Sequence, residues 1–206
     1  KLSKGDTLII LSGTYNEKLS IKSSGESGNP ITIKAQGNVT ISGKNKSGAL
    51  LKIDNKKYIN IVGIKFADMK ADESQAIYLD SGTKHIIISD CTFDNIKCKH
   101  PKNEEDGTQA IYAVGKSSKP VEDIRIEGCH LKNIGAGYSE AISVEGNCKK
   151  VEIKNTKVEY TNGFKGNIAI CFCIGSGGTR PSNCLVSGCT VSGYDQIGRA
   201  SCRERG

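Results

Sequence analysis

Ile86-Ile87-Ile88-Ser89-Asp90-Cys91-Thr92-Phe93 reads as two short strands joined by a one-residue bend. Side chains alternate along a strand, so Ile86 and Ile88 share one face while Ile87 and Ser89 take the other. Asp90 tolerates the left-handed backbone that such a bend requires. Cys91 and Phe93 then resume the apolar face. The octet recurs as Ile59-Asn60-Ile61-Val62-Gly63-Ile64-Lys65-Phe66, Ile124-Arg125-Ile126-Glu127-Gly128-Cys129-His130-Leu131, Val151-Glu152-Ile153-Lys154-Asn155-Thr156-Lys157-Val158 and Cys184-Leu185-Val186-Ser187-Gly188-Cys189-Thr190-Val191. Laid over one another, the octets give two apolar columns before the bend, a Gly/Asp/Asn column at it, and two more inward columns after it.

A second strand precedes each of the last four octets. The set is Ala76-Ile77-Tyr78-Leu79, Ala110-Ile111-Tyr112-Ala113, Ala141-Ile142-Ser143-Val144 and Ala169-Ile170-Cys171-Phe172. Its Ala residues are 34, 31 and 28 positions apart. Fixed columns at unequal spacing mean a constant coil from which loops of different length depart. No 3.6-residue period accompanies the repeat, which excludes helical and leucine-rich arrays. Stacked strands without helices give an all-β, single-stranded, right-handed parallel β-helix. About seven turns are expected, and at about 4.8 Å per turn the stack would be about 35 Å long.

Gly5-Asp6-Thr7, Gly13-Thr14-Tyr15 and Asn29-Pro30-Ile31-Thr32-Ile33 open the chain, and Ser139-Glu140-Ala141 through Asn147 and Asn167-Ile168-Ala169-Ile170 follow later. With these motifs the chain resembles bacterial secreted right-handed β-helix proteins of the pectate lyase-like group, over roughly residues 4–195. The resemblance implies a carbohydrate-active protein, a polysaccharide lyase or a glycoside hydrolase on acidic or plant-type polysaccharide. It also implies an extracellular or cell-surface location. The spaced acidic set and Lys of family 9 pectate lyases are not found. A non-catalytic glycan-binding or adhesion module of the same fold is the alternative.

Composition agrees with a β fold and bounds the rest. The chain has 206 residues with 24 Gly, no Trp and 5% aromatic residues. It lacks the run of about 18 apolar residues that a membrane span needs. The net charge of +7 is spread over many Lys rather than gathered in a patch with aromatics, which argues against nucleic acid and fits an acidic polysaccharide partner. A monomer is expected. The end of the chain reads differently. Three of its five Arg (Arg199, Arg203 and Arg205) crowd the last eight residues, a string resembling translated sequencing adapter. The β-helix is therefore expected to occupy 1–195, cut short at both ends, with 196–206 a non-native tail. A coil ending there would leave Ile170, Phe172 and Val191 uncovered.

Nine cysteines invite a disulfide framework. Their columns argue for another role, since Cys91, Cys129 and Cys189 share the inward slot after the bend and Cys184 replaces an Ile. A stack of buried thiols is expected there. Cys171 and Cys173 should point outward, where a disulfide or a zinc site with Cys98 or Cys148 is the alternative.

A ligand groove is expected over the outward side of the Ala strands. Small Ala would leave room for a sugar chain, with Tyr78 and Tyr112 as a platform for sugar rings and Ser143 beside them. Asp80 and Glu145 fall in one outward column two turns apart. That is about 9.6 Å, the spacing at which an acid and a base leave room for water in inverting hydrolysis. Gln75, Gln109 and Glu140 form a polar column just ahead of the Ala strands, and Glu140 is the leading candidate acid. Lys116, Lys165 and Arg180 are candidate bases for lyase chemistry. Glu104, Glu105 and Asp106 make an acidic loop that is either a solvated turn or a calcium site, calcium being the cofactor such a loop would hold. His85, His100 and His130 lie at spacings that argue no triad.

Overall fold

The computed structural model describes residues 1–102, 106–159 and 168–193. The chain is a parallel β-helix of about six turns with three walls. The first wall stacks Leu19–Ser20, Ala49–Ile53, Ser74–Leu79, Thr108–Gly115, Glu140–Gly146 and Ile168–Cys173. The second carries Lys57–Val62, Lys84–Ser89, Val121–Glu127, Cys148–Lys154 and Leu185–Ser187. The third carries Lys65–Lys70, Thr92–Lys97, His130–Lys132, Lys157–Glu159 and Thr190–Ser192. In the early turn the long strand Ile31–Ser42 runs through both of these walls and joins them into one sheet. There is one turn fewer than the repeat suggested, because Thr7–Tyr15 lies along Ile31–Ser42 as an edge strand. The tail at 196–206 lies outside the described residues.

The expected columns are the observed register. Ile31, Ile59, Ile86, Ile124 and Val151 pair in succession, as do Ile33, Ile61, Ile88, Ile126, Ile153 and Val186. On the third wall Ile41, Phe66, Phe93, Leu131, Val158 and Val191 do the same. Most of these side chains are fully buried. Each turn thus presents its apolar face to the next, and burial along the stack is the main stabilising contribution.

The bend residues Gly63, Asp90, Gly128, Asn155 and Gly188 all have positive φ, between 48° and 71°. Their amides continue the stacking, with Asp90 N–H donating to the Glu127 carbonyl and Gly128 N–H to that of Lys154. Gly and Asx alternate from turn to turn for a steric reason. A Cβ on Gly128 would come within 2.6 Å of Asp90 Oδ1, and one on Gly188 within 2.3 Å of Asn155 Oδ1. Gly128→Ala is therefore expected to cost about 1–2 kcal/mol, from the left-handed backbone and the displaced Asp90 together. Denaturant unfolding of the variant measures it. A midpoint equal to the parent's would show that the bend yields freely.

The residue after the bend behaves as a thiol or hydroxyl ladder. The Cys91 thiol donates to the Ser89 carbonyl at 3.3 Å, Cys129 to Glu127 at 3.5 Å, and Cys189 to Ser187 at 3.5 Å. Thr156 Oγ1 takes the same position and donates to the Lys154 carbonyl at 3.0 Å. These side chains fill the corner and satisfy a carbonyl at once. No disulfide joins any of the eight cysteines among the described residues. Cys98, Cys148 and Cys171 are buried. Cys171 pairs in register with Ser143 of the groove, so it keeps the expected outward-facing position but is covered there.

The Ala column also departs from expectation. Ala76, Ala110 and Ala141 are buried in the core rather than displayed on the groove. Ala76 and its neighbour Ile77 are both fully buried, so strict alternation fails where the first wall begins. The groove consequently starts from the residue before each Ala, not from the Ala.

Candidate functional site

The first wall carries a groove of about 180 Å³ lined by Glu73, Gln75, Gly107, Gln109, Tyr112, Ser139, Glu140, Ser143 and Glu145. Its residues come from three successive turns. Gln75 pairs in register with Gln109. The offset that sets Ile111 against Ile142 puts Glu140 next in the column. The polar column anticipated from sequence is thus a physical stack.

A directed chain of hydrogen bonds runs down it. Gln75 Nε2 donates to Gln109 Oε1 at 3.1 Å, and Gln109 Nε2 donates to Ser139 Oγ at 2.6 Å. Ser139 Oγ then donates to Glu140 Oε2 at 3.1 Å. Each link leaves the next group one orientation, because an amide whose oxygen is engaged must offer its nitrogen onward. The chain ends on the Glu140 carboxylate and fixes its position. Ser139 lay within a quoted motif, but its role was hidden, since only the register shows it between Gln109 and Glu140.

Tyr78 and Tyr112 stack on adjacent turns, with ring centroids 5.4 Å apart and planes 13° apart. Tyr112 lines the groove and its hydroxyl donates to Glu145 Oε2 at 2.7 Å. Burial, together with the charges of Asp80, Glu145 and Asp54, pushes the Tyr78 hydroxyl up to about 12. Ser143 is buried and lines the groove floor.

Glu145 pairs with Val114, whereas Asp80 lies just past the last paired position of its strand, and the surroundings of the two acids differ. Asp80 is held by Lys52 at 2.8 Å and accepts the Ser81 N–H at 2.7 Å. Burial opposes ionisation of Asp80, yet Lys52 and the Ser81 amide keep its carboxyl below the usual range. Asp80 does not line the groove, whereas Glu145 does. Lys52 also sits over the Tyr78 ring, 5.2 Å from its centroid. Lys52 was missed from sequence, although aligning Leu51-Lys52-Ile53 onto Ile77-Tyr78-Leu79 would have placed it under Tyr78.

Arg180 and Lys116 are exposed and do not line the groove. Lys165 lies outside the described residues, as do Glu104 and Glu105. Asp106 comes close to Asp72 and His100. The Asp72 carboxylate there is already committed. Its Oδ1 accepts from the Cys98 thiol and from the amides of Lys99 and His100, and its Oδ2 meets His100 Nδ1 at 2.6 Å. This arrangement latches one turn to the next.

Burial alone would raise the Asp72 carboxyl, but the His100 amide, the Cys98 thiol, the His100 ring and the Lys99 amide together bring it down to about 2. A carboxyl lowered on folding stabilises above its unfolded value near pH 4 and loses that contribution as pH falls through the folded value. Asp72→Asn is therefore expected to lower stability by about 1–2 kcal/mol at pH 7. The gap should close between about pH 4 and pH 2. Parallel thermal melts across that range would show it, and a gap unchanged by pH would assign the loss to shape rather than charge.

His85 and His130 also have carboxylate partners, Asp123 and Glu159. Tyr58 stacks on His85 at 4.3 Å beside a second hollow on the outer face of the second wall.

Comparison with known proteins agrees with this architecture. The family model for Chondroitinase B matches residues 1–191. The uncharacterized protein YwoF of Bacillus subtilis (strain 168) is 32% identical over 197 residues, covering 90% of this chain and 40% of YwoF. The chain thus spans less than half the length of that relative. A candidate glycosyl hydrolase from Parabacteroides merdae ATCC 43184 superposes with a TM-score of 0.57 at 14% identity, over 91% of this chain and 83% of that one. An alginate lyase from Paenibacillus sp. str. FPU-7 gives 0.50 at 19% identity, over 94% and 82%. The two solved structures share the fold, and the sequence match across nearly the whole helix places this chain in the Chondroitinase B family.

Proposed function

We propose that this chain is a carbohydrate-active β-helix protein whose first wall binds an acidic polysaccharide, and that its reaction is β-elimination at a uronate residue. The observation that carries the proposal is the hydrogen-bonded column ending on Glu140 inside a groove beside a tyrosine stack. Family membership supports the lyase class. Elimination needs a group to take the proton beside the uronate carboxylate, a donor for the leaving oxygen and a cation for the carboxylate. Glu140 is assigned the first role and the Tyr112 hydroxyl the second. Lys165, which precedes the strand Ile168–Cys173 in the sequence, is assigned the third. Polymers of this kind do not cross membranes, so the reaction is assigned to the outside of the cell.

A hydrolytic reading is favoured by one observation. The groove lining contains the acids Glu73, Glu140 and Glu145 and no Lys or Arg among the described residues. One assay separates the two. The full chain is incubated with uronate polymers while absorbance of unsaturated ends and total reducing ends are followed together. Unsaturated ends are the expected product. Reducing ends without unsaturation would transfer the groove to hydrolysis. Glycan binding with neither signal would make it a binding module.

A further inference from the structure

We propose that Glu140, Cys171 and Cys173 form a site for one thiophilic divalent metal ion of the zinc class. Cys171 and Cys173 stand two apart on Ile168–Cys173 and so share a face of the strand. Glu140 reaches them from the adjacent strand, Glu140–Gly146. The two sulfurs and a carboxylate oxygen all lie within 4.8 Å of one another. Tetrahedral zinc, with about 2.3 Å to sulfur and about 2.1 Å to oxygen, sets its ligands roughly 3.5 Å apart. Side-chain rotation of about an ångström closes that difference.

The donor set selects the class of metal. Two thiolates exclude calcium and magnesium, which take oxygen, and favour zinc and its neighbours in the softness order. Three protein ligands leave a fourth position for a solvent oxygen, as in an open zinc site. The surroundings are suitable. Cys171 is 1% exposed and Ser143, paired with it in register, is 2% exposed, so the ion would sit at the buried floor of the groove. Binding would displace the thiol protons to solvent and bridge two turns of the helix. It would also withdraw Glu140 from proton transfer, making such a metal an inhibitor of the groove. The site itself stands whether or not the groove is a lyase.

The probe is Co²⁺, added to the metal-stripped full chain carrying Cys202→Ser, so that the cysteine outside the described residues does not contribute. One equivalent should produce a thiolate-to-cobalt charge-transfer band that Zn²⁺ abolishes. Cys171→Ser and Cys173→Ser should each weaken binding about 100-fold or more. Glu140→Gln should weaken it while keeping a two-thiolate band. Zn²⁺ should also slow alkylation of Cys173 in the parent, a readout that needs no variant to fold. Absence of the band, a band undiminished in Cys171→Ser/Cys173→Ser, or alkylation of Cys173 indifferent to Zn²⁺ would each overturn the proposal.

Discussion

Glu140→Gln is expected to reduce turnover on a uronate polymer by about 10²–10⁴-fold while leaving binding of the polymer nearly intact. The substitution keeps size and shape and removes only the charge and the capacity to carry a proton. Ser139 Oγ still finds an oxygen to donate to, so the column from Gln75 to Ser139 is retained. A loss confined to kcat would therefore report the missing proton acceptor and not a collapsed groove. Asp80→Asn offers a contrast. Asp80 is paired with Lys52 beneath Tyr78 and lies off the groove lining. Its substitution should act through the platform, raising KM a few-fold with kcat little changed. Steady-state kinetics on both variants decide the matter. A Glu140→Gln enzyme with parental kcat would remove Glu140 from the chemistry and leave Glu145, with its Tyr112 partner, as the acid to examine next.

The difference between these two carboxylates marks how far sequence reaches in this protein. The coil was legible because Ile86, Ile124 and Val151 repeat at positions whose only common explanation is stacking, and the register sets them side by side. The bend was legible because Gly, Asp and Asn share one conformational freedom, and all five residues have positive φ. Of the acids expected in one column, Glu145 pairs with Val114 and Asp80 lies just past the last paired position of its strand. What sequence could not show is that Lys52, one turn before Tyr78 in the neighbouring column, captures Asp80. Ion pairing depends on side-chain reach across turns, and the repeat specifies only backbone register. Burial of Ala76, Ala110 and Ala141 escaped for a related reason. Period-2 alternation is a rule for strand interiors, and it fails where the chain enters a wall.

Phe93→Ala is expected to be among the most destabilising single changes in the chain, at about 3–5 kcal/mol. Phe93 is fully buried and stacks on Phe66 of the preceding turn, with centroids 5.5 Å apart and planes 11° apart. On its other side it pairs with Leu131. Truncation loses the transfer energy of the ring, opens a cavity and forfeits the aromatic contact, which is itself about 0.5–1.5 kcal/mol. The site lies at the centre of the third-wall column, between Ile41-Phe66 and Leu131-Val158. In a stacked array each turn is stabilised chiefly by its neighbours, so a weak interface in the middle uncouples the halves more than a weak end does. Calorimetry should show a midpoint lowered by about 6–20 °C, at roughly 2–4 °C per kcal/mol for a chain of this size. It should also show a transition that broadens or divides in two. Phe93→Leu, which refills much of the space, should recover more than half of the loss. A sharp single transition within about 2 °C of the parent would mean that the turns do not depend on this column for cohesion, and that the thiol and Asx ladders at the corners carry the stack instead.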